Sequence, residues 1–379
     1  MVSYEQERLP RQIFRCPAQR CGNYGQTGLA EGVTIGEIED MKMETGIGFI
    51  GAGTNTRVRH LPGFAEIPGV KLVTVANRSE ASGRAVAEAF GIAEVAESWE
   101  EVVHHPEVDA ICIGTWPYLH TEVTTAALSA GKHVLTEARM AADLEGARAM
   151  LAASRAHPEL VAQIVPSPFT LDLDSTVMRL VAGGAIGELR EIFVEHAHGG
   201  LLDPEASLGW RQDRRYSGIN MLTMGIYHEV IERWFAEPVS VLGAVGRTWM
   251  TERMHWETGQ PTRVELPESL HILARLGEEV LLNYHFSGIE SGPERNQIRL
   301  NGSAGALRVD VAGNALYQTG SNGGEEEVEV PGSERRGWRV EADFIESIRE
   351  GKPVELTSFA AGVRYMAFTA AVFSRIQGQ

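Results

Sequence analysis

The sequence predicts an α/β fold in two parts: a parallel sheet with helices on both faces, then a largely antiparallel sheet. Three observations carry this. Between residues 45 and 166, short apolar runs alternate strictly with helix-patterned stretches, as parallel strands joined by crossover helices require. In the second half, runs of strand character succeed one another through Gly and Asn turns, as in an antiparallel sheet. The first apolar run, Ile47-Gly48-Phe49-Ile50, enters a Gly-x-Gly turn, Gly51-Ala52-Gly53.

Taken in order, residues 1–44 show no sustained period and read as a poorly ordered extension, or as sequence ahead of a true start at Met41 or Met43. Val70 to Ala76 is the second strand, and Ala81 to Phe90 an Ala-rich helix closed by Gly91. A short helix spans Trp99 to His104, and a buried strand Val108 to Gly114. Helices at Thr121 to Ala130 and Asp143 to Ala156 flank a strand at His133 to Thr136. Val161 to Val165 ends at Pro166 and Pro168, which divides the chain into residues 45–166 and 167–379. Beyond it lie a helix at Ser175 to Ala182, a strand at Leu189 to His196 and a helix at Asn220 to Phe235. Strands follow at Val239 to Gly246, Leu270 to Leu276, Val280 to Phe286, Gln297 to Asn301, Ala306 to Val311 and Glu327 to Val330. Helices at Arg339 to Glu350 and Phe359 to Ile376 close the chain.

A chain of 379 residues can bury two cores. Its net charge of −17 argues against nucleic acid or an anionic membrane as partner. The longest apolar runs fall short of the roughly 20 residues a membrane helix needs. Cys16, Cys21 and Cys112 give neither a disulfide framework nor zinc-ligand spacing, which suits the cytoplasm and predicts no metal.

A strand, a glycine turn and a helix in succession make a place for a pyrophosphate. Gly51 allows the turn, Gly53 lets phosphate approach, and Thr54 and Asn55 open the following helix. Thr56 stands where a third small residue usually sits. The second strand ends in Asn77-Arg78-Ser79. No acid there meets an adenosine ribose, and a neighbouring Arg admits a 2′-phosphate, so the end leans towards NADP over NAD. It also fits a simple Asx-turn. Thr115 and Trp116 follow a buried strand, where Thr115 would line the cofactor path and Trp116 cover the nicotinamide, or Pro117 fixes a packing turn. Arg139, after Glu137 and Ala138, can grip a carboxylate or phosphate, or pair with an acid. Thr223 and Tyr227 share a helix face, and Tyr227 or His228 is a candidate general acid/base or a core residue.

These landmarks in this order resemble the glucose-fructose oxidoreductase/inositol dehydrogenase/MocA family. The matching pieces include Gly51-Ala52-Gly53 with His60-Leu61-Pro62, Asn77-Arg78, Thr115 to His120, Gly131 to Glu137, Trp210-Arg211-Gln212-Asp213 and Gly302 to Leu307. The resemblance implies a Rossmann domain, then an α/β domain with an open, mainly antiparallel sheet whose outer face builds a homodimer or homotetramer. It implies NAD(P)-dependent oxidation or reduction of a sugar, cyclitol or related polyol or ketone. It adds His120 and Glu137 to the cofactor site, and Trp210, Arg211, Asn220 and Thr223 to the substrate site. The departures are specific. Where the family carries Glu-Lys-Pro with a catalytic Lys, this chain has Glu137-Ala138-Arg139; where it carries Asp-x-Gly-x-His, this chain has Thr223-Met224-Gly225-Ile226-Tyr227. Tyr227 or His228, with Arg139 orienting the substrate, would then serve the chemistry. Relatives that cleave glycosides through transient oxidation, and non-catalytic dinucleotide sensors, are the alternatives.

Overall fold

The computed structural model describes residues 44–320 and 323–378. Apart from Glu44, the expected extension lies outside the described residues. Strands β1 (Thr45–Ile50), β2 (Val70–Ala76), β3 (Glu94–Val95), β4 (Ala110–Ile113), β5 (His133–Thr136) and β6 (Ala162–Ile164) form a parallel sheet ordered β3-β2-β1-β4-β5-β6. Every residue of β1 and β4 is buried because helices cover both faces. The strand order reverses between β1 and β4, so a crevice opens beyond their carboxyl ends.

Local signals set the helices around this sheet. Ser79 caps Glu80–Phe90 by accepting from the Ser82 N–H, and Gly91 ends it at φ 68°. The next crossover differs from expectation: the helix runs Pro117–Ser129, starting before Thr121, because Pro117 occupies its first turn and needs no N–H there.

The second sheet is built from β7 (Leu189–Ala197), β8 (Val239–Arg247) and, after a two-stranded hairpin of β9 (Glu252–Met254) and β10 (Pro261–Arg263), β11 (Ser269–Leu276), β12 (Val280–Ser287), β13 (Arg295–Gly302), β14 (Ala306–Asp310), β15 (Ala315–Thr319) and β16 (Glu325–Glu327). Its order is β16-β15-β14-β13-β7-β12-β11-β8, with only the β7–β12 pair parallel. The strand expected at Glu327 to Val330 sits instead at Glu325–Glu327, where pairing with β15 and the Arg308–Glu325 ion pair outweigh apolar pattern. The hairpin and β15 were not legible as strands. The helix expected from Asn220 begins at Met224, because Leu222 takes φ 47° and the Asn220 side chain is spent on a turn.

The helices Met224–Trp234 and Phe359–Gln377 cover the inner face of the second sheet over a core that includes Ile272, Leu282, Phe286 and Ile298. The last two helices also return to the first sheet. Phe344 of Val340–Glu350 packs with Leu61 and Phe64. Tyr365 and Met366 join the core around Ile164, while Phe368 and Val372 of the same helix join the second core. Among the described residues no helix is long and apolar enough to cross a membrane.

Candidate functional site

A cleft of about 510 Å³ lies at the strand-order reversal, lined by Gly51, Gly53, Asn77, Arg78, Thr115 and Trp116 among others. Gly51 has φ 82°, and a Cβ there would stand 2.7 Å from Thr115. Thr56, in the usual third-glycine position, is buried beneath the turn, its hydroxyl donating to Gly51 O at 3.3 Å. Room for it comes from the facing strand: a Cβ on Gly114 would lie 2.1 Å from the Thr56 hydroxyl. The small residue is therefore present, on β4's exit instead of on the helix. Past the turn the chain makes a wide π-turn, Thr56–His60, before Leu61–Ala65, a geometry frequent at functional sites. The Ala52 N–H is held by Asn77 Oδ1 at 2.7 Å, while Gly53, Thr54 and Asn55 are exposed at the helix start. Exposed backbone and a helix start fit a dinucleotide's phosphates.

His60 lies wholly buried between two carboxylates. Nδ1 is 2.5 Å from Glu341 and Nε2 is 3.0 Å from Glu137. Trp338 Nε1 donates to Glu341, and Asn55 Nδ2 to Glu137. Burial opposes a charge on His60, but the two carboxylates outweigh it and push its pKa up to about 9. Burial likewise opposes the charge of Glu137, and the bonds from His60 and Asn55 hold it below the usual carboxylate range. Glu137 is thus a fixed anion at the end of β5. The role of His60 was not read from the sequence, because its partner Glu341 lies 281 residues away.

His120, expected beside the cofactor, is a fully buried strut. Its Nε2 meets Thr115 O at 2.9 Å and its Nδ1 meets Arg139 O at 3.0 Å. Desolvation lowers its pKa, against the pull of the carbonyl oxygens that face both ring nitrogens.

Aromatic residues gather above the cleft. Trp116 stacks on Trp210 (5.5 Å, 15°) and meets Tyr216 and Trp256 edge-on at 4.8 and 5.7 Å. Arg78 lies over the Trp256 ring at 4.8 Å and pairs with Glu257 at 3.0 Å. Tyr216 donates to the other Glu257 oxygen at 2.8 Å. The β9–β10 hairpin therefore reaches back to the end of β2.

At the seam between the sheets, Gly225 faces Arg139: a Cβ there would be 2.9 Å from Arg139 Cδ. Arg139 is buried, and desolvation with neighbouring Arg211 brings its pKa down to about 10. Asn220 Nδ2 donates to Ala141 O at 2.9 Å, tying this loop to the second half. Thr223 Oγ1 is 2.8 Å from His196 Nδ1, and His196 Nε2 is 3.2 Å from Glu294. Tyr227 stacks on His196 at 5.5 Å and donates to Asn296. Burial, reinforced by Glu294, pushes the Tyr227 phenol well above its ordinary value, and no cation among the described residues offsets this. His228 points elsewhere. It is 1% exposed, stacks on Phe368 at 3.6 Å and bonds Tyr284 at 2.9 Å, and burial drops its pKa to about 3. His196 sits at the end of a strand, outside any motif, and was not a sequence candidate.

A Rossmann sheet with its glycine turn, joined to an open second sheet, defines a dinucleotide-binding protein of the oxidoreductase type. Residues 45–163 match the family described as "Oxidoreductase family, NAD-binding Rossmann fold", and residues 175–308 match the GFO/IDH/MocA C-terminal domain. The chain belongs to the GFO/IDH/MocA family. It is 35% identical over 171 residues to a 1,5-anhydro-D-fructose reductase of Ensifer adhaerens, covering 45% of this chain and 50% of that one. It is 25% identical over 213 residues to a levoglucosan dehydrogenase of Pseudarthrobacter phenanthrenivorans, covering 55% and 54%. These matches span about half the length of the curated relatives. In structure it resembles an oxidoreductase domain protein from Kribbella flavida (TM-score 0.77, 23% identity, 89% of this chain and 98% of that one). It equally resembles levoglucosan dehydrogenase in complex with NADH and L-sorbose (TM-score 0.77, 19% identity, 88% and 97%).

Proposed function

We propose that this chain is an NAD(P)-dependent oxidoreductase acting on a sugar, cyclitol or related polyol or ketone. The observation that carries the reading is the cleft at the strand-order reversal, walled by the Gly51–Gly53 turn, Asn77, Arg78 and Thr115. The sugar-acting relatives support the substrate class. A nicotinamide dinucleotide bound by the Gly51–Gly53 turn, Asn77 and Thr115 would supply the hydride donor or acceptor. The chain's own groups then move the proton. Burial, with His198 alongside, lowers the His196 pKa below the ordinary imidazole range, so the ring is neutral near pH 7 and fit to accept a proton from an alcohol. Thr223 and Glu294 orient it. Tyr227, poor as a base, supports the ring by stacking, with its hydroxyl given to Asn296. With alanine at position 138, the task of the family's Lys falls to His196.

The cofactor lean stays with NADP, because β2 ends without an acid, and Arg78 must leave Glu257 to take a 2′-phosphate. Location in the cytoplasm rests on the cysteine count. Assembly with a second copy is part of the same proposal: the outer face of the second sheet exposes Phe193, Leu273 and Val245 together. The test is absorbance at about 340 nm, with NAD or NADP over a panel of sugars and cyclitols and with NADH or NADPH over their ketones. Growth of the band in the first arm or its loss in the second supports the reading. Dinucleotide binding without turnover across the panel, or bond cleavage without net reduction, overturns it.

A further inference from the structure

The Arg139 guanidinium has no hydrogen bond or ion pair with any described residue, although Arg139 is 3% exposed, and its Nε is buried without a partner. A buried guanidinium left alone is costly and is retained where something else supplies the anion. The surroundings are short of acceptors. Among the described residues Arg211 makes no ion pair, and it rests on the Trp210 ring at 4.3 Å. Beside it, Gln212 Nε2 is another buried donor without a partner. The nearby acids are taken: Glu137 by His60 and Asn55, Asp213 by Arg215 and His255. Trp210 stacks on Trp116, next to Thr115, and His120 ties Thr115 O to Arg139 O, so these donors gather at one corner. Burial, with Arg211 alongside, lowers the Arg139 pKa.

We propose that the substrate of this chain carries an anionic group, a carboxylate or phosphate ester, received by Arg139 and Arg211. The proposal rests on the oxidoreductase reading for the word substrate, while the anion site itself is tested by binding alone. The cofactor's own diphosphate is a poor source for this anion. It belongs at the β1 turn, and β5 lies two strands away in the sheet, about 10 Å at ordinary strand spacing.

The experiment is calorimetric titration of the protein, saturated with NADH, by D-gluconate and by D-sorbitol, which differ by a carboxylate and cannot be reduced further by hydride. Gluconate is expected to bind at least about tenfold more tightly, the size a charge-assisted fork allows. Arg139→Met and Arg211→Gln should each erase the gap and leave NADH affinity near that of the unaltered protein. Arg139→Met should also raise the melting temperature, which a purely structural arginine would lower. Arg211 is exposed, so Arg211→Gln tests the site even if the Arg139 variant misfolds. Equal responses to gluconate and sorbitol overturn the proposal, and so does gluconate binding that is seen only in protein free of NADH, which would give the guanidinium to the cofactor. Gluconate binding without hydride transfer to any sugar upholds the anion site and removes the oxidoreductase reading.

Discussion

An imidazolium with a carboxylate on each nitrogen acts as a fixed charge. With its pKa raised to about 9, the charge of His60 stabilises the fold fully below its unfolded value of about 6.5. That contribution fades as pH rises from there through about 9. His60→Gln should therefore lower the melting temperature most near pH 6 and progressively less towards pH 9.5; a deficit independent of pH would mean that His60 is neutral. His196 has the opposite shift. Its lowered pKa predicts that kcat/KM stays level to below the ordinary imidazole range before falling with acid. His196→Asn should cut kcat by about 10²-fold or more, the usual contribution of a general base, with dinucleotide affinity unchanged in a fluorescence titration. A near-normal kcat would pass the proton role to Tyr227 or water.

Among the elements, the β9–β10 hairpin bears on cofactor choice, since Glu257 neutralises the arginine that a 2′-phosphate would use. Both partners are substantially exposed, so the pair is worth at most about 1 kcal/mol. Glu257→Gln should accordingly raise the NADP:NAD ratio of kcat/KM by about fivefold at most, in steady-state assays at low salt. A much larger change would require the hairpin to move. How far such elements were legible follows from what holds them. Strands β1, β2, β4 and β5 bury both faces and stand out as apolar runs. The hairpin and β16 are held by pairing and ion pairs, which leave no period in the sequence. The glycine turn was readable because its pattern is local. His196, Glu257 and the His60–Glu341 pair depend on strands and helices meeting from distant stretches, so spacing could not reveal them.

For the molecule as a whole, the second sheet has one covered face and one bare one. On the bare face the His271 and His285 rings stack at 4.3 Å amid Phe193, Leu273 and Val245. If a second copy covers it, Leu273→Asp should shift sedimentation from dimer or tetramer to monomer while leaving the melting temperature at low concentration little changed. A parent protein that sediments as a monomer at micromolar concentration would remove that assembly. The return of the last two helices to the first sheet bears on synthesis. The ribosome releases the dinucleotide-binding half first, at about 5–20 residues per second. Its core still lacks Phe344 and Tyr365, and His60 still lacks Glu341, until the final stretch emerges. A nascent chain stalled before Val340 should therefore hold an incomplete cofactor half that proteases cut readily. Grafting this half onto another protein would have to bring the carboxyl-terminal helices with it.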